Sequence, residues 1–520
     1  MGFSPEYCWD LQSRGNRAEP FSQGKKEDMI QEHSMQESRE KTRQTWILVL
    51  VPLAAFMVAL DATVVATALS TIRRDLGTSL AELEWVVNAY NLSFAVLLIL
   101  AAALGDRFGR RRMFVVGLGL FVAASAACAL SRDVVWLIIA RTVQGGGAAL
   151  VFPLALTQLS AAFEPARRGR VLGIFSGVTG LAIIAGPVLG GAIAGGLAWQ
   201  WIFWINVPIG LIVITLVLSR LQESFGPRIA FDIGGLLSVS GASLGIMWGL
   251  VRGNSVGWGS LEVVTTLVAG VLLAIVFVVW ERRTRVPMVP MHFFRSRAFS
   301  AGNTAIFFLS ASLFGAVFFL AQFLQTAQGY GPLGAGLRVL PLTATLFVIA
   351  PLAGTLVNRV GERPLIVGGL LLETVGLAWI GLIAAPDRAY PAFIAPLIIT
   401  GTGISMALPP LQNAIINAVA VGEIGKASGT LNMFRQLGAA FGVAILAAVF
   451  AGFGSFGSAV AFSNGFAKAL GVAAILSLLG AIAGLVLPGR RDVAPVQAQA
   501  SESEARKHGA DDVLKRSLSQ

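Results

Sequence analysis

Apolar residues in this chain fall into runs of about twenty, the length a helix needs to cross a hydrocarbon core of about 30 Å. The runs cover 46–70, 84–105, 113–131, 134–159, 168–197, 201–221, 231–251, 262–280, 299–326, 335–357, 364–385, 391–419, 428–452 and 467–487, fourteen in all. Strand-length alternation is absent, so the spans are expected as helices, which satisfy their own backbone polar groups inside a bilayer. Composition agrees: 55% of the 520 residues are hydrophobic and only 13% are charged. Soluble domains carry about 25% charged residues. The 59 glycines would be a defect in soluble helices, but in a bilayer they let helix backbones approach closely. These features define an all-α polytopic membrane protein.

The net charge of +11 does not point to nucleic acid, because the basic residues sit in short loops between apolar runs, where they orient the chain. With fourteen spans both ends lie on one side. Loops on the other side hold Arg73, Arg74, Arg132, Arg252, Arg338, Arg388 and Lys468; seventeen Lys and Arg occupy the loops beside the termini. The excess predicts cytoplasmic termini and a multi-pass protein of the plasma membrane. Two cysteines, Cys8 and Cys128, make no disulfide framework, and His33, His292 and His508 are too scattered for a metal site. No cofactor is expected. Residues 1–45 are polar and lack a signal-like apolar segment, so they are expected as a disordered tail, as is 488–520. Met35, just before the first span, is a candidate translation start.

An internal repeat organises the spans. Leu104, Asp106, Arg107, Gly109 and Arg111 recur at the same spacing as Leu356, Asn358, Arg359, Gly361 and Arg363. The two copies lie between spans 2 and 3 and between spans 10 and 11. A duplicated six-helix unit would separate them by six spans; eight intervene. The expected architecture is therefore 6 + 2 + 6 with parallel halves: 46–221, an inserted pair and linker over 222–298, then 299–487.

Several segments carry more specific chemistry. Asp106, Arg107, Gly109, Arg110 and Arg111 form a tight basic turn suited to an anionic leaflet, with Asp106 able to cap a neighbouring helix. In span 5, Gly186-Pro187-Val-Leu-Gly190-Gly191 places a proline where it cannot donate to Ile183, bending the helix. Gly186/Gly190 and Gly191/Gly195 make two ridges of small residues able to pack against the other half. In span 4, Arg141, Gln144 and Gly145 share one face. A buried arginine there costs about 2.5–3.5 kcal/mol and needs a partner or water. Span 1 holds Leu60-Asp61-Ala-Thr63-Val-Val-Ala66. Desolvation favours the neutral form of Asp61, whereas a nearby cation favours the carboxylate. After span 5 comes Trp199-Gln-Trp201-Ile-Phe203-Trp-Ile-Asn206-Val-Pro208-Ile-Gly210, with Trp199 and Trp201 suited to the outer interface. Pro208 is placed to kink the start of span 6. Span 13 holds Arg435-Gln-Leu-Gly438.

Taken in order, these segments resemble the major facilitator superfamily, and specifically its fourteen-helix branch of drug:proton antiporters, over about residues 46 to 452. The match is imperfect: Ala102, Ala182, Ala66 and Ser70 stand where the family pattern has Gly, Gly, Asn and Pro. The resemblance implies a loop around Asp106 that latches the halves, an antiporter segment at Gly186–Gly191, and proton coupling through Arg141; Asp61, caught between desolvation and a cation, is expected to carry a proton or to attract a cationic substrate. Glu373, in the middle of span 11, lies in none of these motifs. An ionised glutamate facing lipid is improbable, so it is expected to face the interior, as a second proton site, a substrate contact or a structural group. No Walker loop or catalytic triad is present, so an enzyme is not expected. The expected function is proton-coupled efflux of small organic drugs or antibiotics by a monomer, with protons, substrate and lipid as partners. Export of an endogenous metabolite or lipid, and a transport-dead sensor on the same fold, remain open readings.

Overall fold

The computed structural model describes residues 23–163, 165–226, 232–284, 287–419 and 423–489. Among them the chain forms α1 (Gln23–Leu76), α2 (Leu80–Phe108), α3 (Arg110–Ala129), α4 (Val134–Ala162), α5 (Pro165–Gly196) and α6 (Trp201–Arg220). There follow α7 (Ile233–Val256), α8 (Leu261–Arg283), α9 (Arg297–Thr326), α10 (Pro332–Val360), α11 (Glu362–Ile383), α12 (Pro391–Ile416), α13 (Ile424–Phe453) and α14 (Ala459–Leu485). A 3-10 turn, Met291–Arg295, precedes α9. Thirteen of the helices are long and apolar enough to cross a membrane. The remaining one, α2, coincides with the expected span 84–105. Its 29 residues reach about 43 Å at 1.5 Å per residue.

Local signals set the ends. Ser79 and Glu82 form a reciprocal capping box at α2: the Ser79 N–H donates to Glu82 Oε2 at 2.7 Å and the Glu82 N–H to Ser79 Oγ at 3.3 Å. Asp133 caps α4, accepting from the Trp136 N–H at 2.8 Å. α6 is broken at Ile205 between Trp201–Trp204 and Asn206–Arg220, because the Pro208 ring conflicts with the carbonyl four residues earlier. Two expectations need correction. Helix α1 begins at Gln23, so residues 23–45 are helical; Glu, Gln, Lys and Arg are good helix formers. Residues 1–22 and 490–520 lie outside the described part. Trp199, expected to face the outer interface, is instead packed inside the protein, 2% exposed, its indole N–H donating to Asp75 at 2.7 Å; Trp201 is exposed.

Packing reproduces the repeat. In the first six helices α1 packs on α4, α5 and α6, α2 and α3 pack on α4, and α3 packs on α6. In the last six, α9 packs on α12, α13 and α14, α10 and α11 pack on α12, and α11 packs on α14. The halves meet reciprocally, α2 on α13 and α5 on α10. The turns of the repeat share a backbone feature: Gly109 has φ +107° and Gly361 φ +93°, values that side chains disfavour. The inserted helix α7 lies along the α2–α13 seam, with Trp248 against Trp85 at 5.8 Å between ring centroids. α8 packs on α7 and turns Val271, Leu272, Ile275 and Val276 outward.

Contacts that bridge the halves gather at the end of the bundle where α1, α5 and α9 finish. Gln325 takes a hydrogen bond from Ser70 Oγ and donates to the Thr67 carbonyl at 3.0 Å. The Arg73 guanidinium stacks 3.6 Å from the Phe456 ring centroid. Val64, Ala68, Leu69 and Ile72 share a buried core with Phe318, Phe319, Phe323 and Phe450. Toward the other end the cores separate, Phe114 and Leu154 clustering within the first half and Ile366 and Leu411 within the last. The halves therefore lean together at one end and part at the other.

Candidate functional site

Asp61 sits near the middle of the membrane-spanning part of α1, 1% exposed, and its two oxygens are claimed by three donors from two helices. Arg141 Nη1 of α4 donates to Oδ2 at 2.5 Å. Gln144 Nε2, one turn further along α4, donates to Oδ1 at 2.9 Å. Asn206 Nδ2, the first residue after the break in α6, donates to the same oxygen at 2.9 Å. Ser125 of α3 ties the network together: its hydroxyl donates to the Phe203 carbonyl at 2.9 Å and accepts from Gln144 at 3.3 Å and Asn206 at 3.0 Å.

Arg141 is equally enclosed. Nε donates to the Val86 carbonyl at 3.2 Å, Nη1 also reaches Gln144 Oε1 at 2.9 Å, and the guanidinium lies 4.2 Å from the Tyr90 ring centroid. Gly145 makes this possible, because a Cβ there would strike the Tyr90 carbonyl and Ser93 of α2. The result is a buried, hydrogen-bonded charge pair, the arrangement in which the desolvation of both ions is best offset.

Glu373 occupies a different setting. It is fully buried in α11, accepting from Ser312 of α9 at 2.6 Å and Ser477 of α14 at 3.0 Å. The same hydroxyls also face the carbonyls of Leu309 and Leu370, each at 2.9 Å. Two hydroxyl protons thus serve four acceptors, and a proton on Glu373 would supply a further donor. In the repeat, α9, α11 and α14 match α1, α3 and α6. The two buried acids therefore occupy the same three-helix junction in each half, Asp61 with Ser125 and Asn206, Glu373 with Ser312 and Ser477.

The expected loop is differently wired. Asp106 does not cap a helix; it accepts from Arg110 Nε at 2.9 Å. The cap on α3 comes from Glu223, beyond α6, which accepts from the N–H groups of Arg111 at 2.9 Å and Arg112 at 3.1 Å. The Gly226 N–H adds a bond to the Asp106 carbonyl at 3.1 Å. Arg107 is exposed and near the Phe108 ring. The antiporter segment divides its work. Gly186 and Gly190 pack on Thr63, Val64 and Thr67 of α1 in their own half, which corrects the expectation that both ridges meet the other half. Gly191 and Gly195 face Pro332 and Leu333 of α10, and the Pro187 carbonyl lies against Gly336. In the second half Arg359 is exposed and Arg435 of α13 is half-buried; the Asn358 side chain lies outside the described atoms.

The sequence singles out Asp61, Arg141 and Gln144, gives Asn206 no role beyond its place in the Trp199–Gly210 segment, and does not single out Ser125 or Glu223. Asn206 carried a usable signal, an amide buried beside a proline break. Ser125 and Glu223 carried none that spacing reveals.

The sequence matches the Major Facilitator Superfamily over residues 52–443 and again over 304–516. It is 35% identical over 406 residues to the tetracenomycin C resistance and export protein of Streptomyces glaucescens, covering 78% of this chain and 75% of that protein. It is 34% identical over 468 residues to the cephamycin export protein CmcT of Amycolatopsis lactamdurans, covering 87% and 96%. Among solved structures, the nucleoside transporter NupG aligns with a TM-score of 0.62 at 11% identity, over 86% of this chain and all of that one. The last likeness concerns the fold alone.

Proposed function

The chain belongs to the major facilitator superfamily, and from that premise we propose that it is a proton-driven exporter of small organic antibiotics in the plasma membrane. The observation that carries the reading is the buried pair of Asp61 and Arg141 at 2.5 Å. A carboxylate held by a cation and two amides in the interior of one half has no role in lipid-facing stability that an apolar residue would not fill better. As a carboxylate, Asp61 locks α1 to α4 and α6. On accepting a proton it releases Arg141, and the junction loosens. The relatives named for antibiotic export support the substrate class and the outward direction.

In this mechanism the halves rock about a central site, exposing it alternately to each side. The termini lie in the cytoplasm, so the parted end of the bundle faces inward and the closed end outward. Asp61 loads from outside, Glu373 acts as a second proton site, and release inward is coupled to export. One proton moved through 100 mV supplies about 2.3 kcal/mol, and one pH unit adds about 1.4 kcal/mol. The sum sustains a gradient of a few hundred-fold, on the order of what resistance requires.

The test is efflux of a panel of antibiotics and cationic dyes from cells making the protein, with and without a protonophore. Efflux that stops with the protonophore, and in Asp61→Asn, supports proton coupling. Efflux untouched by either would remove Asp61 and the proton from the mechanism.

A further inference from the structure

The inward faces of α2 carry an imbalance that the Asp61 network does not absorb. α2 meets α4 through the Val86 carbonyl, Tyr90 and Ser93. Helical spacing puts Glu84, Asn88, Asn91 and Ala95 on the opposite face, and all four are buried. That face looks toward α13 of the other half, with α7 at its flank. α13 turns Gly438 and Gly442 to Phe307 and Ala311 of α9. Spacing therefore leaves Ala440, Val443, Ala444 and Ala447 for α2, each fully buried.

A polar stripe thus presses on an apolar one. Glu84 is 3% exposed and Asn88 0%, and Glu84 Oε2 and both amide atoms of Asn88 have no hydrogen-bond partner. Evolutionary convenience would favour leucine here, since each buried orphan costs about 1–3 kcal/mol. The charged groups on neighbouring elements are engaged elsewhere or distant. Arg141 of α4 holds Asp61 of α1, Arg252 of α7 holds Glu262, Asp75 takes the Trp199 N–H, and Arg73 lies on Phe456. Glu82 caps its own helix. Lys426 and Arg435 of α13 lie in the half of that helix nearer the parted end. Among the described residues no ion pair reaches Glu84.

We infer that Glu84 is a proton-binding site in the seam between the halves, occupied whenever the end of the bundle near α1 Leu76 is closed. A neutral acid can be shut against Ala444 and Ala447; a carboxylate without a counter-charge cannot. When the seam parts, water reaches Glu84 and Asn88, satisfies both, and lets the proton leave. Closure then takes up one proton from the water on that side. This deepens the proton-driven reading, on which its place in a transport cycle rests. Asp61 sits within one half; Glu84 senses the joint between them.

The experiment needs neither substrate nor gradient. Leu130→Cys and Ala389→Cys, exposed loop positions at the closed end of opposite halves, are spin-labelled in purified protein in nanodiscs, in a Cys8→Ser background; Cys128 is buried. The inter-label distance is read across pH. The parent should shift toward the short distance on acidification, Glu84→Gln should stay short at every pH, and Glu84→Asp should keep the response. Glu84→Met substitutes if Glu84→Gln does not fold. A parent-like response in the neutral variants, or its loss in Asp61→Asn with none in Glu84→Gln, overturns the inference. Protonophore-insensitive efflux would sink the export mechanism while leaving this distance change standing.

Discussion

Asp61 accepts from Arg141, Gln144 and Asn206, so each partner's contribution is open to measurement. Asp61→Ala leaves the Arg141 cation buried without its counter-charge, and is expected to destabilise by about 3–5 kcal/mol. Arg141→Met added to it should recover part of that loss. Thermal unfolding of the two single variants and the double variant in detergent gives the coupling; strictly additive losses would show that the two residues do not act as a pair. Asn206→Ala removes one donor to a charged acceptor, worth about 1.5–3 kcal/mol. Its efflux rate should fall while membrane insertion persists. Unchanged efflux in a correctly inserted Asn206→Ala protein would return that residue to a purely structural role.

Helix ends and crossings carry a second set of consequences. Glu223 caps α3 from across the loop, so Glu223→Ala should cost about 0.5–2 kcal/mol and expose the Gly109 turn to proteolysis. Limited digestion reads this directly, and equal cleavage in both proteins would discount the cap. Gly191 lies on the backbone of Pro332 and Leu333, where an added side chain has no room. Gly191→Leu should therefore hold the α5–α10 seam apart and shift the labels described above toward the long distance, whatever the pH. Gly180→Leu on the same helix, which meets open space, should leave the distance alone. α7 bears on α2 and α13 at once, which gives the inserted pair a place against one seam between the halves; among the described residues it makes no comparable packing with α5 and α10.

On the scale of the molecule, burial is unequal from end to end. Core residues of both halves merge into one cluster around Ile72, Phe319 and Phe450, whereas the cores around Phe114 and around Ile366 each stay within one half, and Val348 of α10 is 63% exposed. Val348→Cys should react rapidly with a membrane-impermeant thiol reagent in inside-out vesicles and slowly in right-side-out cells. Val339→Cys, on the same helix but buried, should resist reagent from either side while the closed end stays shut. The opposite sidedness for Val348→Cys would invert the orientation proposed for the termini.

The all-helical, many-spanning architecture was legible along the chain, because crossing a bilayer demands a long apolar run whatever its neighbours are, and thirteen of the described helices are long and apolar enough to do so. The repeat was legible for a similar reason: a turn that needs a positive φ selects glycine locally, at 109 and again at 361. Asp61 and Arg141 announced themselves as ionisable groups where none is comfortable. Partnership was not legible. Ser125, Asn206 and Glu223 are ordinary residues until folding brings them within 3.3 Å of their partners, and no spacing rule spans 80 residues. The tertiary structure alone decided that Gly186 packs within its half while Gly191 reaches across. It alone set Glu84 against a seam of alanines, since hydrogen-bond satisfaction is a property of the assembled interior and not of any one helix.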